Sequence, residues 1–241
     1  MDKYPGIRQA RRSPLLDEYR FVGVDEAGRG PVIGPMVIAI CALTSRDKRW
    51  CTKHGVTDSK LIAPKRRDKL ANALRDRCWH ETAIIHPAEI DKAVLNRSIT
   101  LNGLEIKYMA QLIAKYQAAF PDSPAEVMLD APVRSLYKFR TLLAHLSGWK
   151  TLNTLKAENK ADSHHRHVGA ASIIAKSIRD SHVHKIIYEL NRNIGSGYSS
   201  DKLAREYVAS AKPGDPHIRW SWATCKNLRS DNNPAIIEPL L

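Results

Sequence analysis

Residues 21–35 read Phe-Val-Gly-Val-Asp-Glu-Ala-Gly-Arg-Gly-Pro-Val-Ile-Gly-Pro, and no other stretch restricts the fold as strongly. Phe21, Val22 and Val24 open it as an apolar strand, and Asp25 and Glu26 follow as adjacent carboxylates. Gly28-Arg29-Gly30-Pro31 then forms a basic turn. The pattern predicts a strand that ends in acid, turns tightly and returns. Met36–Leu43 is read as a third strand, apolar throughout because both of its faces are buried. The four glycines Gly23, Gly28, Gly30 and Gly34 permit positive φ and close backbone approach to a bulky group. Exposed amides in such a turn, with Arg29, suit a phosphate or a sugar. Paired acids suit a hard divalent cation that already carries phosphate oxygens. Neighbouring strand residues point to opposite faces, so Asp25 and Glu26 serve one site only if the strand is ending there. A solvated acid pair on a hairpin is the plainer alternative, and it is weaker because these acids close an apolar strand.

Two later stretches supply more acid. Ala125–Pro132 is again a short apolar strand that ends in a carboxylate, Asp130, where open α/β sheets place their sites. Asp162 precedes a long helix predicted over 168–190, and by position alone it is also a good cap. His164, His165 and His167 crowd behind it at spacings that match no standard metal motif, so they read as basic surface. Further helices are expected over 64–77 with Pro64 in the first position, 87–95, 100–119, 133–146, 201–211 and from Ile218 to about Arg229. Asn102 and Glu105 form a plausible capping box for the helix over 100–119. Strands are expected at 79–86 and near 149–155. Asp180, deep in the long helix, reads as structural, and Trp220 and Trp222 as core.

Composition narrows the partners. The 241 residues hold 38 Lys and Arg against 25 Asp and Glu, a net charge of +13. A pI near 9.7 favours a polyanion such as nucleic acid. No apolar run approaches a membrane span, and residues 1–19 are polar and basic without a signal-peptide core. The four cysteines Cys41, Cys51, Cys78 and Cys225 are scattered, which argues against a structural zinc site and for a reducing compartment.

Taken together, Asp25-Glu26-Ala27-Gly28-Arg29-Gly30-Pro31 and Gly34-Pro35 resemble the signature of the type 2 ribonucleases H. Thr57-Asp58-Ser59-Lys60, Lys160-Ala161-Asp162, Ala170–Lys176 with Arg179-Asp180, and Gly195-Ser196-Gly197-Tyr198 extend the resemblance over roughly residues 20–229. The last turn and the segment after Ile218 look more like archaeal and eukaryotic members than most bacterial ones. The resemblance implies an α/β fold of the ribonuclease H kind, a mixed central sheet flanked by helices. It also implies a catalytic domain over 19–190, a helical C-terminal region over 191–241 and a basic arm over 1–18. Asp25, Glu26, Asp130 and Asp162 would be catalytic and hold two Mg²⁺ or Mn²⁺ ions, since only oxygen ligands are offered. Asp25 would be the central ligand. Gly28, Arg29, Gly30, Lys60 and Tyr198 would contact substrate, with Ser199 departing from the family's usual proline.

The implied activity is endonucleolytic cleavage of RNA in RNA–DNA hybrids and nicking 5′ of ribonucleotides in duplex DNA, leaving 3′-hydroxyl and 5′-phosphate. A stand-alone cytoplasmic monomer is expected, or a nuclear subunit with accessory chains if the source is eukaryotic. Ribonuclease HIII is disfavoured because no substrate-binding domain precedes the first acid. A non-catalytic hybrid-binding module would share the charge, but it would not need four acids that repel phosphate.

Overall fold

The computed structural model describes residues 19–95, 99–123 and 125–230. The basic arm expected over 1–18 lies outside them. The chain runs β1 (Phe21–Ala27), β2 (Met36–Leu43), α1 (Ser45–Lys53), α2 (Pro64–Arg77), β3 (Trp79–Ile85), α3 (Pro87–Leu95) and α4 (Leu101–Ala119). It continues with β4 (Glu126–Asp130), α5 (Leu136–Ser147), β5 (Leu155–Glu158), α6 (Ala161–His164), α7 (Arg166–Leu190), α8 (Lys202–Ser210) and α9 (Ala223–Ser230).

One five-stranded mixed sheet is ordered β3-β2-β1-β4-β5. β1 and β2 are antiparallel, as are β2 and β3, whereas β4 lies parallel to both β1 and β5. Every residue of β2 is buried. Met36, Ile38, Ile40 and Ala42 pack with Ile106, Met109 and Ile113 of α4, and Val37, Ala39, Cys41 and Leu43 pack with Ile173 and Ile174 of α7. That two-faced burial is why the run has no polar alternation. A third cluster joins Val32 and Ile33 to Val183, Ile194, Tyr207 and Ile218, seating the C-terminal region on the loop after β1.

Several boundaries differ from expectation. No strand intervenes between β1 and β2: residues 28–35 form a loop with a lone bridge, Ile33 to Ile218, and β2 is itself the returning strand. β5 starts at Leu155, because residues 152–154 make a 3₁₀ turn first. α1 was not anticipated; its polar sequence is started by a Thr44–Asp47 capping box. α4 is capped by Thr100, which accepts from Gly103 N, so the Asn102–Glu105 box does not form. α2 begins at Pro64 as expected.

α7 crosses β1 at Gly23. A Cβ there would lie 2.2 Å from the His167 carbonyl atoms and 2.4 Å from Val168 N, all backbone. Gly23→Ala is therefore expected to cost about 3 kcal/mol, the upper part of the usual overpacking range. Urea denaturation checks this, and a loss under about 1 kcal/mol would show that α7 can retreat freely.

Candidate active site

Asp130 ends β4, and Asp25 lies one step beyond Val24, which pairs with Leu129 on the neighbouring parallel strand. Register alone thus sets these two acids side by side at the carboxyl end of the sheet. Asp162 comes from α6, immediately after β5. Lys160, left-handed at φ 61°, turns the chain there, and Ala161 N donates to Asp130 Oδ1 at 2.9 Å. One carboxylate oxygen each from Asp25, Asp130 and Asp162 falls within a 4.8 Å group. Asp25 and Asp162 are buried and Asp130 is half-buried.

Glu26 is the acid whose setting differs from expectation. β1 does not end at the acids; it continues to Ala27, with Asp25 opposite Ala39 and Glu26 opposite Ile38. Alternation therefore turns Glu26 toward the α4 face, away from Asp25's face. Glu26 stays out of the three-acid group, yet after burial Asp130 is the strongest influence holding its carboxyl up, at about 7. Its Oε2 is buried without a partner. Burial, then Glu26 and Asp130, push Asp25 well above the ordinary carboxylate range. Burial also raises Asp130 and Asp162. Three converging carboxylates and an orphaned fourth oxygen, all resisting ionisation together, fit divalent cations as the missing charge.

The other sequence candidates sort around this cluster. Burial pulls the Lys60 ammonium down, but Asp58, Asp162, Asp25 and Glu26 together hold it above its usual value, placing it within reach of the acids. Gly28 has φ 82° and is buried, whereas Gly30 is exposed, and a Cβ on Gly30 would stand 4.0 Å from the Tyr198 ring. The two glycine-rich turns therefore meet. Tyr198 is half-buried, with Arg179 5.2 Å and Lys176 5.9 Å from its ring centre. Ser172 of α7, whose hydroxyl donates to Ser59 Oγ at 3.0 Å, lies beside Asp25 and partly opposes the upward push on its carboxyl. The histidines do not join the acids: Glu158 takes up His164 and His165, and burial holds His167 neutral, down to about 3. Asp180 is structural as expected, paired with Arg67 at 2.8 Å and Lys176 at 2.7 Å.

Buried arginines to which the sequence assigns no role hold the turns. Arg219 is fully buried and donates to the carbonyls of Gly28, Arg29 and Gly34 at 2.7, 3.0 and 3.0 Å. Arg179, also buried, donates to Ser196 O at 2.7 Å beside Tyr198. Arg29 is gripped by Glu105 and Asn102. An arginine between Ile218 and Trp220 was the available sign that Arg219 is buried.

Residues 22–225 match the family model described as Ribonuclease HII. The chain belongs to the ribonuclease HII family. A ribonuclease HII of Thermofilum pendens is 38% identical over 225 residues, covering 87% of this chain and 99% of that one. The ribonuclease H2 structure from Pyrococcus horikoshii superposes with a TM-score of 0.74 at 30% identity, covering 88% of this chain and 97% of that chain. The Archaeoglobus fulgidus ribonuclease HII, solved in complex with PCNA, gives 0.73 at 31% identity, covering 87% and 96%. Membership makes this chain an endoribonuclease, a hydrolase of the RNA strand in RNA–DNA hybrids, of a divalent-metal-dependent family.

The acids carry a stability consequence. A carboxyl whose pKa is raised on folding holds its proton more tightly in the folded state. The stability it lends is complete below its unfolded value and is lost as pH rises through the folded one. For Glu26 and Glu105 that window opens near 4.5 and closes at about 7 and about 8. Metal-free protein should therefore lose thermal stability across this range. Mg²⁺ should restore more of it at about pH 8 than at about pH 5, where the acids are protonated. Melting curves with Mg²⁺ and with chelator test this; equal metal shifts at both pH values would contradict it.

Proposed function

We propose that this enzyme nicks duplex DNA on the 5′ side of embedded ribonucleotides as well as cutting longer hybrids, leaving 3′-hydroxyl and 5′-phosphate ends. The observation that carries the reading is the meeting of the Gly30 and Tyr198 turns beside the three-acid group. Asp25, Asp130 and Asp162, with Glu26 flanking, are the residues that would hold two divalent cations, Mg²⁺ or Mn²⁺. When bound, such a pair supplies charge neutralisation at the scissile phosphate and a more acidic attacking water.

The chain's own groups do the selecting. Telling RNA from DNA requires contact with the 2′-hydroxyl. The exposed Gly30 backbone can approach a ribose because it carries no side chain of its own. Tyr198 packs on the neighbouring sugar from the opposite turn. Arg29 and Lys60 contact phosphate, with Lys60 also screening the acids from one another. Burial of Asp25 among fixed groups keeps water from replacing substrate oxygens at random.

A duplex carrying one ribonucleotide, incubated with and without Mg²⁺, tests the reading. Cleavage should require metal and fall 5′ of the ribonucleotide. Tyr198→Ala should lower cleavage of that duplex by roughly ten- to a hundredfold, and of a long hybrid by much less. Equal losses on both substrates would remove Tyr198 from junction reading. Tight binding in chelator with no cutting in Mg²⁺ would indicate a binding module instead.

A further inference from the structure

Asn102 and Glu105 lie three residues apart on one face of α4. Glu105 stands between the buried Leu104 and Ile106 and is itself 0% exposed. A carboxylate there is costly, and an apolar side chain would satisfy the packing without that cost. Its cation is Arg29, whose Nε donates to Glu105 Oε1 at 2.7 Å. Arg29 Nη2 donates to Asn102 Oδ1 at 2.5 Å. Two donors of the guanidinium are thus taken from the α4 side. Nη1 has no protein acceptor among the described residues, and the side chain remains 38% exposed. Glu105 Oε2 is buried without a partner. Burial, then the neighbouring Glu26, push the Glu105 carboxyl up to about 8, so α4 also touches the electrostatics of the acid cluster.

We propose that Glu105, assisted by Asn102, is a positioning residue that fixes the Arg29 guanidinium so that its free edge meets the phosphate beside the ribonucleotide. The proposal rests on the ribose-reading role given above to the Gly28–Gly30 turn. Arginine is a planar fork, and fixing two of its donors dictates where the third points. Without the brace the side chain samples many rotamers and the turn loses its tie to α4. Glu105 touches no substrate and acts through Arg29.

The test is a double-mutant cycle read by binding and by steady-state kinetics. Fluorescence anisotropy in excess chelator measures affinity for a duplex with one ribonucleotide, using Arg29→Ala, Glu105→Ala and the pair. Glu105→Ala should weaken binding and raise KM by roughly tenfold while kcat changes less than about twofold. Glu105→Gln, whose amide oxygen still accepts from Nε, should recover binding to within about threefold of the parent. In the Arg29→Ala background, Glu105→Ala should add no further loss. Equal losses in both backgrounds, or unchanged binding by Glu105→Ala in the parent, would overturn the proposal. Should Glu105→Ala fail to fold, Asn102→Ala runs the same cycle with an expected loss of roughly threefold, and additivity there overturns it equally. If the parent protein neither binds nor cuts this duplex, the ribose-reading role has failed, and the proposal with it. Binding and cutting with an additive cycle fail the positioning role alone.

Discussion

Asp25→Asn is expected to lower Mg²⁺-dependent cleavage of an RNA–DNA hybrid by at least roughly a thousandfold. Asp25 is the most constrained of the three converging acids, fixed on β1 between β2 and β4, and 3% exposed. Asparagine keeps its size and one oxygen but removes the charge that a divalent cation requires. The same substitution should raise the melting temperature of the metal-free protein by a few degrees. Burial and the fields of Glu26 and Asp130 already oppose ionisation of Asp25, so a neutral side chain relieves the folded state. Loss of activity with gain of apo stability separates a site residue from a structural one. Cleavage within tenfold of the parent would remove Asp25 from the chemistry, and a lower apo melting temperature would show that its charge is satisfied by other means.

How much of this was legible follows from the range over which each signal acts. Local periodicity and Pro or Gly punctuation place β1, β2, α2, β3, α3 and α4, with Pro64 marking the start of α2; they miss the polar α1 and suggest a strand over 28–35 that is a loop. Asp25 and Asp130 are legible because each ends an apolar strand and parallel register brings such ends together, whereas Asp162 reads by position as a helix cap and enters only through the family resemblance. The face that Glu26 takes was less legible: Gly28 suggests that the strand ends at the acids, whereas pairing with β2 carries β1 past both, so Glu26 flanks the three-acid group from the other side of the strand. Asn102 and Glu105 were read as a helix cap, because a local motif offered an explanation before a partner 73 residues away, Arg29, was visible. Thr100 caps α4 equally well by the same local chemistry. Arg219 lies in the segment after Ile218 that carries part of the resemblance, yet nothing local assigns it a partner. Its three carbonyl acceptors lie 185 to 191 residues earlier in the chain, and only the fold brings them together.

Arg219→Ala should be the most damaging single change outside the acids. Its guanidinium bridges the carbonyls of Gly28, Arg29 and Gly34, and its backbone N–H donates to Val32 O at 2.9 Å. Gly28 and Gly34 sit at φ 82° and 85°, and the guanidinium fixes their carbonyls alongside the backbone bonds made by Val32, Ile33 and Gly34. Truncation leaves two buried acceptors and one half-buried acceptor without these donors, and a cavity beside Trp222, whose ring lies 5.2 Å from the guanidinium carbon. At about 1–3 kcal/mol for each stranded group, partly recovered by entering water, a loss of about 4 kcal/mol is expected. In a chain of this length that lowers the melting temperature by roughly 8–16 °C. Arg219→Lys tests the geometry: one ammonium cannot span three carbonyls in a fork, so it should recover less than half of the loss. Because these carbonyls belong to the turn next to Tyr198, the lysine variant should also show a raised KM on a single-ribonucleotide duplex at a temperature where it is fully folded. A lysine variant with parental stability and KM would mean that Arg219 supplies charge rather than shape, since a point charge would then serve as well as the fork.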